Sequence, residues 1–543
     1  MRFRFLDRIS WGLGLGLLML ATAGCALSES PAGIRARAWC PDLGNGTFRN
    51  PIFWGDWPDS DVIRVGDEFY FISTSMHYVP GCPIARSKDL VNWEMAGYAV
   101  PRYDEDPRYD LKGGDFYLCG SWANTIRHHN GKFYVGFCTP RGPGPGGKGQ
   151  FSMCVADDVK GPWKRTIFPE YLYDPGLFFD DDGKAYVAHG QSTICITELN
   201  ADALSVKGKP VKVIENSHAE GSHLYKINGK YYLFCPCAGL GVQLCFRSDK
   251  IYGPYERQVV MHDTRNTQYG IHQGGLVQLK NGDWWCLIME DRDPVGRTTR
   301  LEPVTWVDGW PMLGRQDAKG DWIGMDVCKK PAIGTSHPVT APATTDEFNT
   351  PGLGLQWQWN HNPDNARWSL AERPGYLRLK AGKAESLWKA RNTLTQRVQG
   401  PASDGIAELD LRGLKDGNVA GLGIFESPYG FIAIRQEGSV RKIVMVNNNQ
   451  TIATIDTFTG DTIWFQARTV FAGATATFFY SLDGKSWQPL GNTLKMGLGL
   501  PWTANRFALF NYSTKDAGIG GIADFNGFRL HMPTGLPSGD APK

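Results

Sequence analysis

The sequence predicts an all-β protein, a five-bladed β-propeller followed by a β-sandwich. Three observations carry this. A glycine turn leading into a short aromatic strand recurs five times in the first half of the chain. A stretch rich in Pro, Ala and Thr follows at 330–345. Beyond it, strands alternate apolar and polar residues, the pattern of sheets with one buried face.

The five turns are Gly66-Asp67-Glu68-Phe69-Tyr70-Phe71, Gly131-Lys132-Phe133-Tyr134-Val135, Gly183-Lys184-Ala185-Tyr186-Val187, Gly229-Lys230-Tyr231-Tyr232-Leu233 and Gly282-Asp283-Trp284-Trp285-Cys286. Glycine accepts the positive φ of a tight hairpin. A second motif follows most copies: Ser87 to Trp93, Ala156 to Trp163 and Ser248 to Tyr255. The repeat of about 45–65 residues fits one four-stranded blade per copy. The propeller is expected over 48–329, a linker over 330–345, the sandwich over 346–533 and a tail over 534–543. In the sandwich, Ile406-Ala407-Glu408-Leu409-Asp410-Leu411 shows the alternation, and Asp524 to Leu530 reads as a last strand returning to the start.

The N-terminus reads as an export signal over 1–25. Arg2, Arg4 and Arg8 precede an apolar run from Trp11 to Ala23, which ends at Ala23-Gly24-Cys25. That ending resembles a lipobox, with Cys25 as the lipidated residue and 26–47 as a flexible tether. The chain is therefore expected outside the cytoplasm, as an outer-membrane lipoprotein or in the periplasm of a Gram-negative bacterium, touching membrane only through the anchor. A net charge of +2 offers no footprint for nucleic acid. The twelve Cys show no paired zinc-ligand spacing, and most read as small buried hydrophobes.

Three segments place an acid just before a strand that leads into a glycine turn. They are Trp57-Pro58-Asp59-Ser60-Asp61, Tyr173-Asp174-Pro175-Gly176 and His218-Ala219-Glu220-Gly221. Inner blade strands begin at the propeller axis, so Asp59, Asp174 and Glu220 are expected to converge. Converging carboxylates suit glycoside hydrolysis: one must hold a proton for the leaving oxygen, and another must be ionised to activate water. A third acid nearby raises the donor's pKa by like-charge repulsion. Asp180, Asp181 and Asp182 read as turn residues, and Asp61 as a turn cap.

These blocks, with Arg86 to Trp93 and Ser121-Trp122-Ala123, resemble the signatures of glycoside hydrolase family 43 over the whole propeller. The region from Asp346 resembles the concanavalin-like sandwich (a jelly roll) of its β-xylosidase and α-L-arabinofuranosidase branches. The resemblance implies an inverting mechanism with Asp59 as general base, Asp174 as pKa modulator and Glu220 as general acid. It also implies Trp122 and Met76 as pocket walls, Arg297 as a pocket arginine and His272 near the axis, where some members hold calcium. The chemistry itself needs no cofactor. Ser60, Ser222 and Asn124 stand where the family commonly has proline.

The implied substrate is a plant cell-wall oligosaccharide or polysaccharide. The run Ser73 to Gly81 is closer to the arabinofuranosidase-rich branch than to typical β-xylosidases. That favours removal of terminal α-L-arabinofuranosyl residues from arabinoxylan, xyloglucan or arabinan, with β-D-xylosidase activity as the alternative and a non-catalytic glycan-binding propeller as the alternative of another class. Trp122, Met76 and Tyr78 are expected to wall off an exo-acting pocket, with a sandwich loop as a further lid.

Overall fold

All five glycine turns join the first two strands of a four-stranded antiparallel sheet, with φ of 63°, 75°, 81°, 80° and 96° at Gly66, Gly131, Gly183, Gly229 and Gly282. The computed structural model describes residues 30–533 apart from 142–147, 216 and 293. Blade one runs Asp61–Val65, Glu68–Ile72, Gly81–Ser87 and Trp93–Val100. The four other blades begin with Trp122–His129, Gly176–Phe179, His223–Ile227 and Ile271–Gln278. These first strands line the axis.

The second repeated motif is the turn between a blade's two outer strands, and its aromatic residue closes that turn. Trp93 Nε1 donates to Leu90 O at 2.7 Å, Trp163 Nε1 to Val159 O at 3.2 Å and the Tyr255 hydroxyl to Ile251 O at 2.6 Å. The recurrence is thus one local solution used three times.

A nine-stranded and an eight-stranded sheet form the sandwich. Their inner faces meet around Trp357, Phe465, Phe507, Phe525 and Phe528, all buried. The last strand, Ile522–His531, pairs with Leu377–Lys380 and Ala402–Asp410, and Phe528 bridges back to Asp346. The sequence alternation therefore reports real half-buried strands and a closing strand.

The two units share a sheet. Tyr78–Val79 leaves blade one and pairs with Gln358–Asn360 at the edge of the nine-stranded sheet. Arg506 lies 3.6 Å from the centre of the Tyr78 ring, and Arg397 lies 4.0 Å from that of Trp57 while donating to Asp56 O. Tyr78 is therefore an interdomain strand residue and not the pocket wall expected of it. Within the Ser73–Gly81 run, His77 and Pro80 also meet the sandwich, through Asn360 and Gln358.

The expected flexible tether is also corrected where it can be seen. Residues 30–47 carry a short helix, Pro31–Arg37, and a strand, Thr47–Arg49. Ile34, Ala38, Trp39 and Cys40 are buried, and Trp39 Nε1 donates to Pro51 O at 2.8 Å. Met532 N donates to Ala36 O, so the segment seams the end of the sandwich to the propeller. Apolar Ile34 and Trp39 supply the burial that a tether would lack. Residues 1–29, with Cys25 and the export signal, and the tail 534–543 lie outside the described residues. No helix among the described residues is long and apolar enough to cross a membrane. The eleven described cysteines are free, and ten of them are buried.

Candidate active site

The site is built from the residues at the entry of each inner strand. Position for position, Asp59, Ala123, Asp174, Gly221 and Gln273 are equivalent, and all five have left-handed backbone, with φ of 55°, 45°, 48°, 55° and 52°. Two residues further on stand Asp61, Thr125, Gly176, His223 and Gly275, where the strands crowd the axis. A Cβ on Gly176 would meet Ser222 O at 1.8 Å, and one on Gly275 would meet Val62 N at 2.9 Å. Left-handed φ at Ala123 and Gln273 is uncommon for such residues and marks backbone held in place by its surroundings. In four of the five the preceding residue, Trp122, Tyr173, Glu220 or His272, lines one common cavity.

That cavity has a volume of about 500 Å³, within the usual range for a small-molecule site. It is lined by Asp59, Trp122, Asp174, Glu220, His272 and Arg297, with Met76 beside them. Of the eight pocket residues expected from sequence, seven are thus brought together and Tyr78 is not. One refinement applies: Asp59 and Asp174 share a blade position, whereas Glu220 sits one residue earlier, in line with Trp122, Tyr173 and His272.

Asp59 is buried, and its Oδ1 accepts from Arg297 Nη1 at 2.7 Å. The backbone N–H of Arg297 is itself held by Asp56 Oδ1 at 3.1 Å. Glu220 Oε2 accepts from Gln191 Nε2 at 2.7 Å. Burial pushes the Glu220 carboxyl above the ordinary glutamate value, while the Gln191 hydrogen bond draws it back. Asp174 is pushed well above the aspartate value, first by burial and then by the charges of Glu220 and Asp59. Asp174 and Glu220 therefore behave as a pair that titrates together, both upward. The arrangement puts carboxyls whose burial favours the protonated form beside an Arg-paired acid in one cavity, which is the equipment for acid–base cleavage of a glycosidic bond.

The residues replacing proline make bonds that proline could not. Asn124 Nδ2 donates to Ser73 O at 2.6 Å, and Ser222 Oγ accepts from Cys235 Sγ at 3.3 Å. His272 Nε2 lies 3.6 Å from Asp291 Oδ2. One imidazole and one carboxylate would supply two of the six to eight ligands calcium takes, among which waters and carbonyls also count. Among the described residues, no group of three or more His, Cys, Asp or Glu is disposed to hold a metal.

Asp61 does more than cap a turn. Fully buried, its Oδ2 accepts from Thr125 Oγ1, Ile126 N and Arg127 Nη1 at 2.9, 2.9 and 2.7 Å, and it lies 3.6 Å from His223 Nδ1. These contacts, with Arg127 leading, hold its carboxyl below the usual range despite burial. Asp61 thereby ties blade one to blades two and four, two residues from Asp59.

Sequence reasoning missed Gln191, Tyr173, Gln273 and the sandwich residues Leu498, Pro501, Trp502 and Thr503, which also line the cavity. Superposing the five repeats at the residue pair that enters each inner strand would have found Tyr173 and Gln273. Nothing local marks Trp502, whose ring stands 5.4 Å from that of Trp122, edge to face. Its carbonyl accepts from Arg297 Nη2 at 3.3 Å.

Propeller, sandwich lid and paired acids define a glycoside hydrolase. The chain belongs to glycosyl hydrolases family 43, whose model matches residues 48–311, and the β-xylosidase C-terminal concanavalin A-like domain matches 345–531. A β-xylosidase of Formosa agariphila is 34% identical over 90% of this chain and 92% of its own. A non-reducing end α-L-arabinofuranosidase of Bacteroides ovatus is 34% identical over 62% of this chain and 66% of its own. The solved structure of a bifunctional GH43-CE protein of Bacteroides eggerthii superposes with a TM-score of 0.81 at 38% identity, covering 92% of this chain. This chain spans 64% of that protein's length.

Proposed function

We propose that the protein removes single terminal α-L-arabinofuranosyl residues from plant cell-wall hemicellulose, with inversion at the anomeric carbon. The observation that carries this is the shared cavity of Asp59, Asp174 and Glu220, walled by Trp122, Met76 and a sandwich loop. In the proposed step, Asp59 takes a proton from water as its oxygen attacks the anomeric carbon. Glu220 gives its proton to the departing glycosidic oxygen. One water is consumed, a free pentose and a shortened glycan are formed, and solvent exchange restores both carboxyls. Arg297 orients Asp59, and Asp174 keeps the proton on Glu220 by repulsion. Trp122, Met76 and His272 contact the sugar.

A second reading, β-D-xylosidase, is favoured by the name and the near full-length coverage of the Formosa relative. Both sugars offer similar hydroxyls to such a pocket. Incubation with arabinoxylan, arabinan, arabinosylated xyloglucan and xylo-oligosaccharides, read by chromatography, tests the two. Free arabinose from the polymers supports the first reading, free xylose from xylo-oligosaccharides the second, and no sugar from any of them overturns both.

We also propose export, with lipid attached at Cys25. The basic residues Arg2, Arg4 and Arg8 and the apolar run that follows support this. Metabolic labelling with a fatty acid should mark the wild type and not Cys25→Ala; equal labelling of both contradicts it.

A further inference from the structure

The loop between Lys495 and Arg506 is held by one buried carboxylate of the sandwich. Glu426 follows the strand Asn418–Phe425 and is 1% exposed. Its Oε1 accepts from Leu500 N at 2.9 Å and from Thr503 Oγ1 at 3.0 Å. Its Oε2 accepts from Gly499 N at 3.1 Å and from Ser427 N. Among the described residues, no Lys, Arg or His forms a salt bridge with it.

The loop has little room to settle elsewhere. A Cβ on Gly499 would meet Ser427 O at 2.3 Å, and Gly499 N also donates to Ser427 O at 2.6 Å. Beyond this clamp the loop meets the propeller through Leu500, Trp502 and Asn505, whose N and Nδ2 both donate to Pro294 O. Leu500 packs against the cluster of Met76, Leu118, Trp122 and Cys138. The Trp502 ring meets Trp122, and the Trp502 carbonyl receives Arg297 Nη2. Arg297 in turn holds Asp59.

We infer that Glu426 is a positioning residue for catalysis, fixing the 499–503 loop so that Trp502 closes the sugar pocket and its carbonyl orients Arg297. Four donors converge on one side chain, three of them from the loop, and only a carboxylate accepts at both oxygens. Burial raises the Glu426 carboxyl to about 7 against the pull of these donors. A buried carboxyl is tolerated only where hydrogen bonds satisfy it, and three of these come from the loop. What it gives is a fixed loop, and misplacement by about 1 Å near reacting groups can cost on the order of 100-fold in rate.

The inference rests on the proposed function, and the test separates the two. Glu426→Gln keeps the shape but turns an N–H donor toward donors already present. We expect kcat/KM for pentose release to fall about 10–100-fold. Trp502→Ala should fall similarly, and the double variant no further, because both act through one loop. Amide hydrogen exchange should speed up over 499–503 in Glu426→Gln while strand 506–513 keeps its protection. Gly499→Ala, which pushes the loop off Glu426 while leaving the carboxyl itself in place, should behave like Glu426→Gln. Unchanged exchange at 499–503, or additive losses in the double variant, overturns the inference. A folded wild type that releases no pentose overturns the functional reading instead, and the exchange measurement still decides whether Glu426 holds the loop.

Discussion

Arg297 reaches Asp59 with one guanidinium nitrogen at 2.7 Å and the carbonyl of Trp502 with the other at 3.3 Å. Blade five thus spans the cavity, joining the carboxylate proposed as base to a loop of the sandwich. A planar, forked cation makes both contacts at once; a lysine ammonium on its flexible stem cannot reproduce that geometry. Arg297→Lys is expected to lose about 10–100-fold in kcat/KM on aryl pentosides. Arg297→Ala should lose more. Steady-state kinetics on both variants checks this, and near wild-type rates in Arg297→Lys would show that charge alone suffices.

The upward shifts of Asp174 and Glu220 set the alkaline side of the pH profile. A donor with a raised pKa keeps its proton to higher pH than an ordinary glutamic acid. Activity should hold through the weakly acidic range and fall as pH rises through that raised value. Asp174→Asn removes a like charge, so the fall should begin at lower pH. An unchanged alkaline limb in Asp174→Asn would remove Asp174 from the role of modulator.

The same residue should trade stability for function. A buried carboxyl with a raised folded-state pKa favours folding below its unfolded value, and that support is lost as pH rises through the folded value. Asp174→Asn avoids the loss. It should gain on the order of 1 kcal/mol near neutral pH, as relief of active-site strain commonly does, and nothing in acid. Thermal melts at two pH values read both. A variant less stable than wild type at neutral pH would contradict it.

The fold was legible because its signals are local. Gly66 and its four counterparts each need positive φ, and Trp93, Trp163 and Tyr255 each close their own turn. Asp59, Asp174 and Glu220 were legible because each stands at the same kind of strand entry. The remainder depends on distance. Tyr78 lies in a run that reads as pocket wall, yet it pairs with Asn360, far along the chain. Asp61 looks like a turn residue until Arg127 and His223 are brought to it from other blades. Trp502 and Glu426 sit in alternating sandwich sequence with no local mark, and only the docking of the two units gives them a place at the site.

The proposed water-mediated displacement fixes the stereochemistry. The first sugar formed should have the inverted anomeric configuration, visible by NMR before mutarotation. A ligand-bound crystal structure should set the carboxyls of Asp59 and Glu220 about 6.5–9.5 Å apart, leaving space for water. A retained configuration in the first product excludes this mechanism.

The central claim is that Glu220 supplies the proton to the departing oxygen, and leaving-group dependence tests it most directly. A sugar alkoxide needs that proton; an activated phenolate leaves with little help. The measurement is kcat/KM of Glu220→Ala on a natural arabinosylated oligosaccharide and on a dinitrophenyl pentoside, with folding verified by circular dichroism. The account predicts a loss of about 10²–10⁴-fold on the oligosaccharide and a far smaller one on the dinitrophenyl substrate. Equal losses on both substrates in a folded variant would contradict it.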